Sequence, residues 1–271
     1  MPLYIVATPI GNLEDISLRA LRTLREVKLI AAEDTRRTKQ LLASYDIKTP
    51  TTSYHERNKL TKLDYILDFL KSEGDVALVS DAGMPGISDP GHELVVAASQ
   101  RGILIVPIPG ASVVITALAV SGLDTGDFRY LGFLPHKASA RQKLLKSIAS
   151  EPATIVVLET PHRLTAALSD ILEVLGDREM AVCRELTKLH EEVFRGRVRQ
   201  AIEHFTEPRG EFTLVIAGKK EAEKPQLTEA VEKELQKLRR SGVGAKEAVA
   251  KLAEETGLSK KELYRAWLKS D

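Results

Sequence analysis

The chain has 271 residues, with 39 Lys and Arg against 38 Asp and Glu, a formal net charge of +1. This length gives room for about two domains, and 43% hydrophobic with 28% charged residues excludes long disorder, collagen and fibrous repeats. A polyanion partner would have to be met by a local patch rather than by bulk charge.

The single cysteine, Cys183, excludes an internal disulfide and any zinc site built on several thiolates, and it suits a reducing, cytoplasmic setting. The first residues, Met1-Pro2-Leu3-Tyr4-Ile5-Val6, lack the basic region of an export signal. No apolar stretch approaches the ~20 residues of a membrane span, so no membrane partner is expected.

In chain order, near-continuous Val/Ile/Leu/Ala runs at 3–7, 28–32, 76–80 and 103–108 predict strands buried on both faces of a parallel sheet. Helical spacing of apolar residues at 17–25, 36–44, 60–72, 91–101 and 111–122 alternates with them, an α/β pattern. The turn-forming cluster at 121–127 marks a domain boundary. Beyond it, strands are expected at 128–133, 154–159, 180–186, 192–194 and 212–217, and helices at 139–149, 163–175 and 198–205, an irregular alternation that reads as a mixed sheet. From Lys219 the composition shifts: residues 219–271 carry 13 basic and 10 acidic side chains, or +3, against 26 and 28, or −2, in residues 1–218. Leu227, Val231, Leu235 and Leu238 make one amphipathic stripe, and Ala245, Ala248, Val249 and Leu252 a second that ends at Gly257, a good C-cap. Ser259 with Glu262 has the spacing of a capping box, so the tail reads either as a helix-turn-helix or as a small packed bundle. Three domains are expected: 1–122, 123–220 and a helical 221–271.

Three segments follow strands and carry small or special residues. Thr8-Pro9-Ile10-Gly11-Asn12-Leu13-Glu14-Asp15 lies where open parallel sheets bind ligands, without the glycine spacing of dinucleotide or P-loop sites. The eleven residues Asp81 to Gly91 hold three glycines and two prolines, which lets a ligand approach the backbone. Asp81, at the strand end, suits ribose hydroxyls or a cationic centre. Pro107-Ile108-Pro109-Gly110-Ala111-Ser112 is the third. Singly, each is a tight connection; together, on one sheet edge, they favour a pocket. The charged clusters Glu33-Asp34-Thr35-Arg36-Arg37, His55-Glu56-Arg57-Asn58 and Glu159-Thr160-Pro161-His162-Arg163 are open to two readings, helix caps with surface ion pairs or phosphate contacts. The histidines are scattered without zinc-like spacing, so no metal is expected, and no nucleophile elbow supports serine hydrolysis.

These segments, with Ala32-Glu33-Asp34-Thr35-Arg36, Gly132-Phe133-Leu134-Pro135 and Glu159-Thr160-Pro161-His162-Arg163, resemble the tetrapyrrole methylase superfamily over nearly the whole chain, and within it the enzymes that methylate ribosomal RNA. The resemblance implies an α/β, two-lobed class III methyltransferase fold, here with a small C-terminal all-α domain. It further implies S-adenosyl-L-methionine in the cleft between the lobes, a homodimer, and methylation of a cytidine ribose 2'-hydroxyl in the decoding region of 16S rRNA on the small ribosomal subunit, with no DNA partner.

The family's first loop corresponds to Pro9 through Leu13, its Gly-Asp-Pro segment to Ser80-Asp81-Ala82, and its Pro-Gly-x-Ser segment to Pro109 through Ser112. The sequence departs from the family in Ser80, Ala82 and a longer following loop. By this correspondence Pro9, Ile10, Gly11, Asp81, Ala82, Gly83, Met84, Ile87, Ser88, Ala111 and Ser112 are implied cofactor contacts. Leu134, Thr160, Glu185 and Thr213 are added by strand position alone. Displacement at an activated methyl mainly demands alignment, with a base to take the hydroxyl proton; Asp81, Glu33, Asp34 and Glu159 are its unranked candidates. Arg36, Arg37, His55, Arg57, His162 and Arg163 are the expected RNA contacts, with the basic tail as a second RNA surface. Two other readings stay open: a small-molecule, tetrapyrrole-type methylase, and a non-catalytic nucleic-acid-binding protein.

Overall fold

The computed structural model describes residues 1–219 and 227–269; the expected boundary between residues 220 and 221 lies outside them. The chain forms two compact units, Met1–Gly218 and Lys219–Asp271.

The first unit begins with five strands and five helices in alternation: β1 (Leu3–Val6), α1 (Leu18–Glu26), β2 (Leu29–Ala32), α2 (Thr35–Ser44), β3 (Thr51–Ser53), α3 (Lys59–Ser72), β4 (Val76–Val79), α4 (His92–Gln100), β5 (Ile105–Ile108) and α5 (Val113–Ser121). The strands pair in the order β3-β2-β4-β1-β5, every pair parallel, with Leu3 beside both Val76 and Ile105. All residues of β2 and β4 are buried because helices cover both faces. Leu3, Leu29, Val76 and Leu78 pack with Ile66, Leu67, Leu70 and Leu94, while Val6, Ile30 and Val79 pack with Leu24 and Leu42. That two-sided burial is why the strands read as unbroken apolar runs. Ser17 and Asp34 start α1 and α2 by accepting hydrogen bonds from the Ala20 and Arg36 N–H groups, as N-caps do.

Parallel pairing has one decisive consequence for function. It brings all five carboxyl ends to one edge, so the segments after β5, β1, β4, β2 and β3 lie side by side there in that order.

The second sheet contains β6 (Phe128–Phe133), β7 (Thr154–Glu159), β8 (Glu179–Arg184), β9 (Glu192–Arg197) and β10 (Phe212–Ile216), with helices α6 (Ala138–Ser147), α7 (Pro161–Leu175) and α8 (Val198–His204). Its order is β6-β7-β10-β8-β9; only β6 and β7 run parallel. One face packs on α6, α7 and α8 through Ile155, Val157, Leu164, Leu168, Val182 and Leu214. The other face, through Val156, Ala181, Cys183 and Val215, receives Val114, Ala117 and Leu118 of α5. Helix α5 follows β5 of the first sheet directly and packs on the second sheet, so it joins the two across the cleft. Arg141 and Asp170 form a buried ion pair at 2.5 Å between α6 and α7. Helix α7 starts at Pro161, two residues before the expected start, because proline is favoured at a first helical position.

The second unit contains α9 (Glu229–Arg240), α10 (Ala245–Thr256) and α11 (Lys260–Lys269). Leu235, Ala248, Val249, Leu252, Leu258, Leu263, Ala266 and Trp267 form its core. Gly257, at φ 70°, ends α10 in the left-handed conformation. Ser259 accepts from the Glu262 N–H and its hydroxyl donates to Glu262 Oε2 at 2.6 Å, so half of the expected capping box forms, with the carboxylate meeting the Ser259 hydroxyl rather than its N–H. Leu227 stands ahead of α9 and is exposed.

Candidate active site

A cleft of about 380 Å3 lies between the carboxyl edge of the first sheet and strands β6, β7 and β10 of the second. Its floor is built by two loops tied to each other. Thr8 and Gly83 exchange backbone hydrogen bonds of 2.9 and 3.0 Å, and the Thr8 hydroxyl donates to the Ser80 carbonyl at 3.1 Å. Gly83 sits at φ +76°, a conformation open to glycine at no steric cost. A methyl group added there would stand 3.6 Å from Ile10 and 3.7 Å from the Ala111 carbonyl.

The walls are largely apolar: Ile10, Met84, Val113, Val114, Phe133 and Leu158. Tyr130 from β6 meets Ser88 across the cleft, hydroxyl to hydroxyl at 2.7 Å, and so links the two lobes. Among these walls stand the carboxylates of Glu33, Asp81, Asp89 and Glu159, with Arg37 as the basic residue of the lining; Glu211 also borders the cleft, but its carboxylate is exposed and pairs with Lys188 at 2.8 Å. Burial pushes the Glu33 carboxyl up, and the Asp81 charge adds to this, although Glu33 Oε2 accepts the Asp81 N–H at 3.3 Å. Burial, then repulsion from Glu33, pushes Asp89 up to about 6. Asp81 accepts the Asp34 N–H at 3.1 Å and faces Arg37 Nη1 at 3.2 Å. The Glu159 side chain is fully buried and its carboxyl is raised by that burial. It accepts the Thr160 N–H and faces the Arg163 guanidinium, both at 3.0 Å. Carboxylates held in apolar surroundings repel one another and are relieved by a positive ligand. The arrangement suits an organic cation with apolar parts.

Two further cavities adjoin the cleft. One, of about 360 Å3, is polar and lies between Pro9, Gly11 and Leu13 on one side and Thr38, Gln40 and Ser44 of α2 on the other. The other, of about 520 Å3, is bordered by Arg36, His55 and Arg57 and also by Glu33, Asp34, Glu56 and Asp81, of which Asp34 is paired with Arg36. All three share Asp81.

Of the expected contacts, Ile10, Asp81, Ala82, Gly83, Met84, Ile87, Ser88, Ser112, Thr160 and Thr213 line the cleft, as do Glu33 and Glu159. Pro9 and Gly11 line the adjoining polar cavity instead. Ala111 packs against the α5 cluster beside the cleft. Leu134 is absent from the lining: it is buried in the second lobe's core, and its carbonyl accepts from Arg163. Glu185 also lies off the cleft, where it pairs with Lys188 at 2.9 Å and accepts the Glu211 N–H at 2.8 Å. Strand β8 ends at Arg184, so the chain has already turned by that position.

Asp34 is engaged locally. It caps α2, and hydrogen bonds from Arg36 hold its carboxyl far below the usual range. Arg36, His55 and Arg57 gather around the third cavity, whereas Arg37 turns into the cleft. His162 is exposed, and Arg163 is packed inside the lobe with its side chain 14% exposed. Sequence reasoning missed Asp89, Tyr130, Phe133 and Glu211. Asp89 was within reach, since it stands in the same Ser88-Asp89-Pro90-Gly91 run as Ser88.

Residues 2–202 match the family model described as Tetrapyrrole (Corrin/Porphyrin) Methylases. The chain is 49% identical over 267 residues to Ribosomal RNA small subunit methyltransferase I of Synechocystis sp., a match covering 97% of this chain and 96% of the relative. The protein of the same name in Thermotoga maritima is 53% identical over 219 residues, 80% of this chain and 98% of its own length. Among solved structures, the chain resembles uroporphyrin-III C-methyl transferase from Thermus thermophilus complexed with S-adenosyl homocysteine, with a TM-score of 0.58 and 21% identity over 80% of this chain and 97% of that one. It also resembles diphthine synthase, with a TM-score of 0.61 and 17% identity over 80% of this chain and 90% of that one.

Proposed function

Since the chain belongs to the tetrapyrrole (corrin/porphyrin) methylase family, alongside relatives named ribosomal RNA small subunit methyltransferase I, we propose that it transfers a methyl group from S-adenosyl-L-methionine to ribosomal RNA. The acceptor is the ribose 2'-hydroxyl of a cytidine in the decoding region of 16S rRNA. The observation that carries this reading is the junction at Asp81 of an acid-lined apolar cleft with a cavity bordered by Arg36, His55 and Arg57.

The cleft's lining fits the methyl donor on physical grounds. Ile10, Met84, Val113 and Val114 offer apolar surface to a purine and a thioether chain, Gly83 leaves space that a side chain would fill, and Glu33, Asp81 and Asp89 face a positive centre. S-adenosyl-L-methionine, when bound, supplies a methyl group already activated by a sulfonium charge. The protein's own work is then to orient the two partners and to exclude water. The Tyr130 to Ser88 link holds the lobes together over the cleft.

Of the four candidate bases, Asp34 is occupied as a helix cap clamped by Arg36, and Glu159 by Arg163. Glu33 and Asp81 remain, adjacent at the junction. The raised Glu33 carboxyl suits it to receive the hydroxyl proton, and Asp81, paired with Arg37, suits the positioning of the ribose. Arg36, His55 and Arg57 meet the phosphates on the acceptor side.

The setting is the cytoplasm and the substrate the small ribosomal subunit, with the enzyme acting as a homodimer. A lone cysteine that is buried and free of any disulfide supports this setting. Among the described residues no helix is long and apolar enough to cross a membrane. The test offers labelled S-adenosyl-L-methionine with 16S rRNA, with small subunits from a strain lacking the gene, and with a tetrapyrrole. Label in the RNA is expected; label in the tetrapyrrole alone would overturn the reading.

A further inference from the structure

The helical unit at Lys219–Asp271 lies outside the residues matched by the family model, and nothing in the methyl-transfer site accounts for it. Its surface carries a groove of about 530 Å3 between α10 and α11. Val249, Ala250 and the ring of Tyr264 give the groove an apolar floor, and Lys246, Lys260, Lys261 and Arg265 stand around it. Tyr264 is 46% exposed, and Leu268, one turn further along α11, is 63% exposed.

The four cations stand together around one groove. On α9 the lysines are neutralised along the helix, Lys233 by Glu229 at 4.0 Å and Lys237 by Glu234 at 3.5 Å. Among the described residues none of the four groove cations has an ion-pair partner, and the groove lining contains no carboxylate. The nearest acid on α11, Glu262, is engaged by Ser259 at the helix start.

Uncompensated positive charge asks for a polyanion. An apolar floor with a half-exposed aromatic ring asks for a flat apolar face. A duplex hides its base faces and a carboxylate-rich peptide has none, whereas a single strand presents stacked bases and phosphates together. We infer that the groove between α10 and α11 binds a single-stranded segment of RNA, one base stacking on Tyr264 and the neighbouring phosphates meeting Lys246, Lys260, Lys261 and Arg265. That the strand is ribosomal rests on the proposed function; the binding itself does not.

The test uses the full chain and a fluorescent single-stranded RNA of about ten nucleotides, read by anisotropy over a range of salt. Tyr264→Ala weakens binding about tenfold, and Tyr264→Phe, which keeps the ring, restores it. Lys261→Glu with Arg265→Glu weakens binding more than tenfold and lowers the salt slope by about 0.7 for each phosphate that is no longer neutralised. Affinity for S-adenosyl-L-methionine stays unchanged in every variant. With 16S rRNA as substrate the effect is a raised KM, and kcat holds.

Unchanged RNA affinity in both Tyr264→Ala and the charge-reversed variant would overturn the inference. So would equal displacement of the RNA by poly-glutamate, which would make the groove a general polyanion site. If binding depends on Tyr264 while the enzyme methylates no RNA, the groove stands and the proposed function falls. If methylation proceeds while binding is indifferent to all these changes, the reverse holds.

Discussion

Arg37 Nη1 stands 3.2 Å from Asp81 Oδ2, and the pair sits where the acid-lined cleft opens into the polar cavity beside α2. Arg37 comes from the first turn of α2 and Asp81 from just past the end of β4. Their meeting follows from parallel strands that present both carboxyl ends on one edge. The Asp34 N–H, donated to Asp81 Oδ1 at 3.1 Å, fixes the carboxylate from the same side.

Asp81→Asn keeps the shape and the acceptor for the Asp34 N–H but removes the charge that holds Arg37. Steady-state methyl transfer should fall about 100-fold. Chemical denaturation should show a stability change of no more than about 1 kcal/mol, because the ion pair is half exposed. Undiminished turnover would remove Asp81 from the site.

Asp89 supplies a pH signature. Its carboxyl, pushed up to about 6 by burial and by Glu33, lies above its ordinary unfolded value. The folded chain therefore binds more protons than the unfolded chain between about pH 4 and 6. The stabilisation from the neutral acid is complete below about pH 4 and is lost as pH rises through about 6. Asp89→Asn should raise stability by about 1 kcal/mol at pH 7, discounted for partial exposure, and change little at pH 4. A cationic ligand reverses the preference, so S-adenosyl-L-methionine should bind several-fold more weakly to the wild type at pH 5 than at pH 7, with the Asn variant less sensitive. Calorimetric titration at the two pH values checks both signs.

Arg163 should behave as a structural residue rather than an RNA contact. Its guanidinium faces the fully buried Glu159 at 3.0 Å and donates to the Leu134 carbonyl. Arg163→Ala leaves a buried carboxylate without its partner and should cost about 3 to 5 kcal/mol in urea denaturation. His162→Ala, one residue away and exposed, should leave stability unchanged. Equal stability of both variants would contradict this packing.

Arg57 should behave the opposite way. It borders the third cavity and is exposed, so Arg57→Ala should weaken RNA binding, with a salt slope smaller by the share of about one phosphate. S-adenosyl-L-methionine affinity should not move. A fall in cofactor affinity instead would place Arg57 on the donor side.

The sequence was most legible where burial is two-sided. The runs at β1, β2 and β4 announced themselves because helices cover both faces of the sheet, and the three loops that follow β1, β4 and β5 could be assigned to one edge from parallel pairing alone. The second lobe was harder because strand position there does not determine which way a side chain faces. The pairing of β6 with β7 shifts register between Tyr130 and Phe133, with Gly132 at φ 66°. A one-residue shift exchanges the two faces of a strand. Phe133, 51% exposed, consequently faces the cleft, while Leu134, at 1%, goes to the core. Neighbouring helical residues diverge for a related reason. Arg36 folds back on Asp34 and Arg37 reaches Asp81, because successive residues point in different directions around a helix.

The proposed reaction of this chain is methylation of a ribose hydroxyl of ribosomal RNA. The most direct measurement is transfer of an isotopically labelled methyl group to small ribosomal subunits from a strain lacking the gene, followed by digestion of the 16S rRNA to nucleosides and mass spectrometry. Label is expected in 2'-O-methylcytidine, with about 100-fold slower incorporation by the Asp81→Asn enzyme. Label on a base nitrogen or carbon, or in no RNA nucleoside although S-adenosyl-L-methionine binds in the cleft, would contradict it.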